Sequence, residues 1–390
     1  MNVGRMESGG KSTLVLRYTQ TEEEREEMKK WIIVLSALLL SAPAMGADWS
    51  FSGSQRMATF WNHDDFGDFT VNGEDDDDEI IWDFQGNSRL EAKVTADKVK
   101  GHVELGLRGT DGGDIDVRTR RAYGTWKFSE IAALTVGKDY SPITQFTSGQ
   151  VIDEDLGLAG IGTNDGFRPG QIRLELGDFQ ISAITPYDGQ TLGGAGSDPD
   201  KVLPKFEAAY AGKLGSFTFT PAAGFQYLKE ERGASAVLTD DVDIISYILG
   251  LELGFEIGPA YIKAAGGWGQ NWTNANWNSD GYTSNDNAGA ALNADGDDTE
   301  DCMSWQAALI LGLKVSEELL FEGGAGFRSD DNDAASDEDE AWSAYLQAVV
   351  TLAPGVYIVP EVGYFDFMDN AAGEDEGYRW YAGAKWQIDF

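Results

Sequence analysis

The stretch Trp82-Asp83-Phe84-Gln85-Gly86-Asn87-Ser88-Arg89-Leu90-Glu91-Ala92-Lys93-Val94 alternates without a break. Trp82, Phe84, Gly86, Ser88, Leu90, Ala92 and Val94 share one face, and Asp83, Gln85, Asn87, Arg89, Glu91 and Lys93 share the other. Successive side chains of a β-strand point to opposite faces, so this spacing predicts a strand over 80–94 with one apolar and one charged side. Lipid outside and water inside would suit it. So would a soluble sandwich whose apolar face meets a second sheet. Repetition separates the two. Trp305, Ala307, Leu309, Leu311, Leu313 and Val315 alternate in the same way, as do Trp342, Ala344, Leu346, Ala348, Val350 and Leu352. Both runs are long for globular strands.

The same alternation predicts strands near 48–61, 80–94, 101–109, 116–128, 131–140, 170–176, 179–186 and 202–211, then 217–228, 244–254, 259–272, 302–315, 319–328, 341–353, 356–367 and 378–390. That is about sixteen, an even number. Short links such as Gly177-Asp178, Ser316-Glu317-Glu318 and Pro354-Gly355 alternate with long polar ones at 62–79, 141–169, 273–301 and 329–340. A sandwich has no reason to keep that rhythm. It predicts an all-β chain folded as a transmembrane antiparallel β-barrel, with short periplasmic turns and long extracellular loops. Trp49 and Trp61 lie on one face. At about 3.3 Å per residue and about 40° of tilt they stand ~30 Å apart along the axis, and Trp380 and Phe390 about 25 Å, which suits two aromatic girdles.

Composition narrows the functions. The 390 residues include 12 Trp, 14 Tyr and 19 Phe, an aromatic load that disordered chains lack. The 66 acids against 29 bases leave a charge of −37, which repels phosphate backbones, so no nucleic acid is expected as partner. The single cysteine, Cys302, cannot close an internal disulfide, and two histidines, His63 and His102, cannot build a His-rich metal site. No cofactor and no catalytic residue are expected.

The N-terminus carries a signal of its own. From Met28, Lys29-Lys30 precede the apolar run Trp31–Leu40, which is too short to span a bilayer, and Ala44 and Gly46 supply small residues for cleavage before Ala47. Residues 28–46 therefore read as a secretory signal peptide and 47–390 as the mature barrel. Residues 1–27, with the acidic run Glu22–Glu27, read as a misassigned upstream extension. Within it, Gly9-Gly10-Lys11-Ser12-Thr13 imitates the end of a phosphate-binding loop, but the motif's first glycine would fall at Arg5. The six acids and six bases before Ala47 cancel, so 47–390 keeps −37.

Ser88-Arg89-Leu90, then Arg121-Ala122-Tyr123-Gly124, then Thr135-Val136-Gly137-Lys138-Asp139-Tyr140-Ser141-Pro142, taken in this order, resemble the general diffusion porins of Gram-negative outer membranes. The resemblance implies a sixteen-stranded barrel, a homotrimer, and a third long loop, here 141–169, folded into the lumen. It also implies a pore constriction with Arg89, Lys138 and Arg168 as its basic wall. Asp153, Glu154 and Asp155 would be the acidic loop side, matched by location only. The loop Val151–Gly157 departs from the family's usual tip, and Pro169 follows Arg168 where a strand should begin. Acids facing bases across a bore would sort solutes by charge. The last strand, ending in Phe390, resembles the signal such proteins present to the barrel assembly machinery.

The expected function is a passive outer-membrane channel for small hydrophilic solutes and ions, preferring cations. The acid-rich loops 74–79, 295–301 and 330–340 would form a negative mouth, and specific divalent sites there stay open, since none has the spacing of a calcium-binding hand. Alternatives are a solute-specific channel, a barrel enzyme, for which two histidines without a supporting motif are poor material, and an adhesive barrel.

Overall fold

The computed structural model describes residues 46–66, 78–109, 115–189, 192, 198–232, 237–278 and 288–390. The expectations for residues 1–27, for the signal peptide up to Met45 and for Glu74–Asp77 lie outside the described residues.

From Trp49 onward the described residues form one compact unit. Its antiparallel strands are Asp48–Asp65, Asp78–Phe84 continued as Ser88–Ala96, Val99–Gly109, Ile115–Lys127, Ala132–Lys138, Gly170–Leu176, Phe179–Ile184 and Lys205–Tyr210 with short flanking pieces. Phe217–Glu231, Val242–Ile257, Ala260–Gln270, Cys302–Lys314, Leu319–Asn332, Asp339–Ala353, Val356–Asp366 and Tyr378–Asp389 follow. Each pairs with its neighbours in the chain, and the last pairs with the first from Ser54 opposite Asp389 to Asp65 opposite Tyr378. The sheet is thus a closed sixteen-strand barrel. Closure matters because an unpaired backbone group in hydrocarbon costs several kcal/mol.

Alternation sorts the faces as expected. On Cys302–Lys314, Leu309 and Leu311 stand about half exposed outward while Ser304, Gln306, Ala308 and Ile310 are buried inward. Each such Leu placed against lipid gains about 1.5–3 kcal/mol. Aromatic rings ring the outer surface in touching groups. Trp342 meets Tyr364 at 5.1 Å and Tyr364 meets Trp380 at 4.6 Å; elsewhere Trp268 meets Tyr247 at 5.5 Å and Trp305 meets Phe327 at 5.1 Å. At the other end Trp126 meets Phe128 at 5.3 Å and Trp49 stacks on Phe51 at 6.1 Å. The short turns use left-handed backbone where a two-residue reversal demands it, as at Gly177 (φ 62°) and Gly258 (φ 58°).

Three local departures shape the interior. The strand expected over 80–94 is broken at Gln85–Asn87. There Ser88 N donates to Gln85 O at 2.9 Å, and the Ser88 hydroxyl takes over pairing with Arg56, accepting from its N–H at 2.9 Å and donating to its carbonyl at 3.2 Å. Gly86 and Ser88, expected on the apolar face, are buried at this kink. A second departure is a β-bulge: Glu104 opposes Arg121 while Leu105 opposes Thr119, leaving Arg120 as the extra residue. Third, the stretch expected as a long polar loop from 273 begins with a tight buried turn carrying Trp272 and Trp277, both fully enclosed.

Candidate pore constriction

The segment 141–169 leaves the strand Ala132–Lys138 and packs inside the barrel, held by wall side chains from strands far along the chain. Glu361 accepts from the N–H groups of Val151 and Ile152 at 2.8 and 3.0 Å. Glu322 accepts from Gly149 N at 2.8 Å and from the hydroxyls of Tyr345 and Tyr261. Glu252 accepts from Thr147 Oγ1 at 2.6 Å, and Glu207 from Ile143 N at 3.2 Å. Inserted backbone has no ladder partners, so carboxylates supply the acceptors its N–H groups need. Wall glycines make room: a Cβ at Gly326 would stand 1.8 Å from Ile161 O. Gly326→Val should therefore push the loop off the wall into the bore and lower single-channel conductance, while the barrel keeps its heat-dependent gel mobility; unchanged conductance would contradict this docking.

At the tip, Asp153, Glu154 and Asp155 all adopt left-handed backbone, with φ of 47°, 60° and 67°. Such residues cost of order 1–3 kcal/mol each and persist only where contacts hold them. Here the contacts are specific. Asp155 pairs with Arg56 at 2.5 Å and Lys385 at 2.7 Å, and accepts from Asn87 Nδ2 at 2.8 Å. Glu154 pairs with Arg118 at 2.5 Å, lies 3.9 Å from Arg108, and accepts from Gly86 N at 3.1 Å. The strand kink at Gln85–Asn87 is thus the dock for the tip. Asp153 accepts no hydrogen bond among the described residues. Its carboxyl is open to water, yet enclosed by protein on most sides; that enclosure, then Glu154, push it up to about 6.

The expected acids and bases are therefore not paired with one another. Arg89 lies 3.5 Å from Glu104, a carboxylate shared with Arg120 at 2.7 Å and Arg121 at 3.8 Å. Arg168 donates to the Tyr140 hydroxyl at 3.2 Å and lies over its ring at 5.1 Å. Lys138 has no carboxylate partner among the described residues, and the charges acting on it are Arg168, Arg118 and Arg120. Arg121 and Arg173 flank Asp139 at 2.7 and 2.8 Å. Apart from Arg168, at the end of the inserted segment, these bases come from the first six strands of the chain, with Lys385 beside them on the last, so they form one arc of the wall. The loop-anchoring carboxylates come from the other strands.

Sequence reasoning missed Arg56, Arg118, Arg120 and Lys385. Strand parity could have suggested Arg56 and Lys385, which alternate with apolar residues; Arg120 depends on the bulge. Glu91, His102 and Glu104 bring three metal-capable groups together. Lys93 sits 2.6 Å from Glu91, and three arginines surround Glu104, so cations of the chain already occupy these carboxylates. They do not suit a metal ion.

No family model and no curated protein matches this chain. Solved structures do. The outer membrane channel DcaP of Acinetobacter baumannii superposes with a TM-score of 0.69 at 18% identity, over 88% of this chain and 98% of that one. This chain has the outer-membrane porin fold. An anion-selective porin from Comamonas acidovorans shares this fold at TM-score 0.55 and 14% identity, over 88% and 100% of the chains. OmpT, an outer membrane protein of Vibrio cholerae, in trimer form, shares it at 0.52 and 13%, over 88% and 99%. At these identities the likeness speaks for the porin fold alone.

Proposed function

We propose that the protein is a passive outer-membrane channel for small hydrophilic solutes and ions, narrowed by the segment 141–169. One observation carries this: inside a closed barrel, side chains at the tip and wall keep their access to water. Arg108 is 62% and Arg118 40% accessible where they face Glu154, and Phe146 is 63% exposed on the inserted loop. A bore filled by its own side chains would bury them. No reaction is part of this function. Export by residues 28–46, assembly through the strand ending at Phe390 and a homotrimer complete the proposal; for the trimer, the Vibrio cholerae neighbour gives fold-level support only.

Ion preference follows from two depths. Asp240, Asp241, Asp295, Asp297 and Asp298 on the long-loop side favour cations at the mouth. At the neck Glu154 and Asp155 are already matched by Arg56, Arg118 and Lys385, so Lys138 and Arg168 leave an excess of positive charge. The Debye length falls from about 10 Å at 0.1 M salt to about 3 Å at 1 M, which screens the mouth before the narrow neck. Reversal potentials should show cation preference at low salt that weakens as salt rises. Arg168→Ala should raise the cation preference, and neutralising Asp153, Glu154 and Asp155 together should lower it. An anion-selective channel at low salt would overturn this account of the mouth.

Acid should act in the same direction as salt. Asp153, with its pKa raised to about 6, is charged at pH 7 and neutral at pH 5. Cation preference should decline between those values, and Asp153→Asn should remove most of that decline.

A further inference from the structure

Loop 141–169 does not stand alone in the bore. The turn Asn271–Asn278 lies on its long-loop side, and every residue of it but Asn276 is buried. Trp277 packs against the wall where a Cβ at Gly224 would meet its ring at 2.5 Å, and its indole N–H donates to Glu207 at 2.8 Å. Lys205, itself buried, donates to Ala275 O at 2.9 Å, lies 3.3 Å from Glu207 and stands over the Trp277 ring at 5.3 Å. Glu207 also accepts from Ile143 N, at the entry of loop 141–169. At the exit of that loop, Asp165 and Asn278 clasp each other: Asp165 N donates to Asn278 Oδ1 at 2.6 Å, and Asn278 N to Asp165 O at 2.9 Å. Ile143 packs between Ile248, Trp272 and Trp277.

Resting on the channel function above, we propose that Asn271–Asn278 is a second constriction element. It closes the vestibule along the strands Lys205–Tyr210, Phe217–Glu231 and Val242–Ile257 and clamps both ends of loop 141–169, so solutes pass only along the arginine arc. Lys205, Glu207 and Trp277 are its positioning residues. The wall beneath it is built for the purpose: Gly224 leaves the space Trp277 fills, and a buried ammonium and carboxylate are matched to each other and to the indole, as groups removed from water must be.

Two substitutions should move the channel in opposite directions. Trp277→Ala removes the ring and frees the loop ends, so single-channel conductance should rise and the open current should become noisier. Gly224→Val presses on the ring from behind, so conductance should fall without added noise. Both are read in planar bilayers beside the wild type, with heat-dependent gel mobility confirming that the barrel has formed. Lys205→Met, which keeps the side-chain volume but loses the charge, should reproduce the noise of Trp277→Ala if the clasp is what holds the turn. A conducting wild type whose Gly224→Val and Lys205→Met variants match it in conductance and noise would overturn the second constriction and leave the channel itself standing. A wild type that does not conduct would instead overturn the channel function.

Discussion

A chain carrying Glu361→Ala should conduct in larger, less steady steps than the parent. Glu361 is the acceptor for two consecutive N–H groups, those of Val151 and Ile152, just ahead of the strained tip. Each buried N–H left without a partner costs about 1–3 kcal/mol. The three left-handed residues that follow add strain the loop would shed by moving. Arg56→Ala with Lys385→Ala should have a related effect from the other side, because Asp155 would keep only Asn87. Removing one partner of a buried ion pair costs roughly 3–5 kcal/mol, and less where water reaches it, as it does at this tip. Single-channel recording reads both; if neither raised conductance or noise, the inserted loop would not be the element that sets the neck.

The second large effect concerns closure. Deleting Tyr378–Asp389 should abolish the folded barrel, since the strands Asp48–Asp65 and Val356–Asp366 would each lose a full partner. Closed barrels have no edges, and each unpaired backbone group exposed to hydrocarbon costs several kcal/mol. The deleted chain should run on detergent gels identically with and without boiling, whereas the full chain shifts on heating. A heat-shifting deletion product would mean the sheet can close without its last strand.

The strands were legible because a barrel wall with lipid on one side and water on the other imposes the same alternation everywhere, and Trp305–Val315 shows it plainly. The inward path of 141–169 came by resemblance and its docking rests on Glu207, Glu252, Glu322 and Glu361, residues up to 210 positions away that alternate like any other wall carboxylate. No local pattern marks them. Arg120 was hidden by a bulge, because two adjacent arginines read by parity place one of them in lipid. The kink at Gln85–Asn87 was hidden for the opposite reason, since alternation continues across it while the backbone turns inward. Of the tip acids, Glu154 and Asp155 pair with Arg56, Arg118 and Lys385, none of which the resemblance pointed to; Arg89 and Lys138 lie elsewhere on the wall, and Arg168 at the end of the inserted segment. Nothing in the local sequence marks Trp272, at the end of an expected strand, or Trp277, in an expected polar loop, as buried; the glycines opposite them, Gly269 and Gly224, show where they pack.

Water and small solutes, on the function proposed above, cross this barrel passively through a neck of fixed size. Liposomes carrying the purified protein and placed in sugars of increasing mass test it most directly. Swelling should be fast for the smallest sugar, fall smoothly with solute size and rise in proportion to concentration without saturating. Absence of swelling in every sugar, or swelling confined to one solute and saturating with it, would contradict the account.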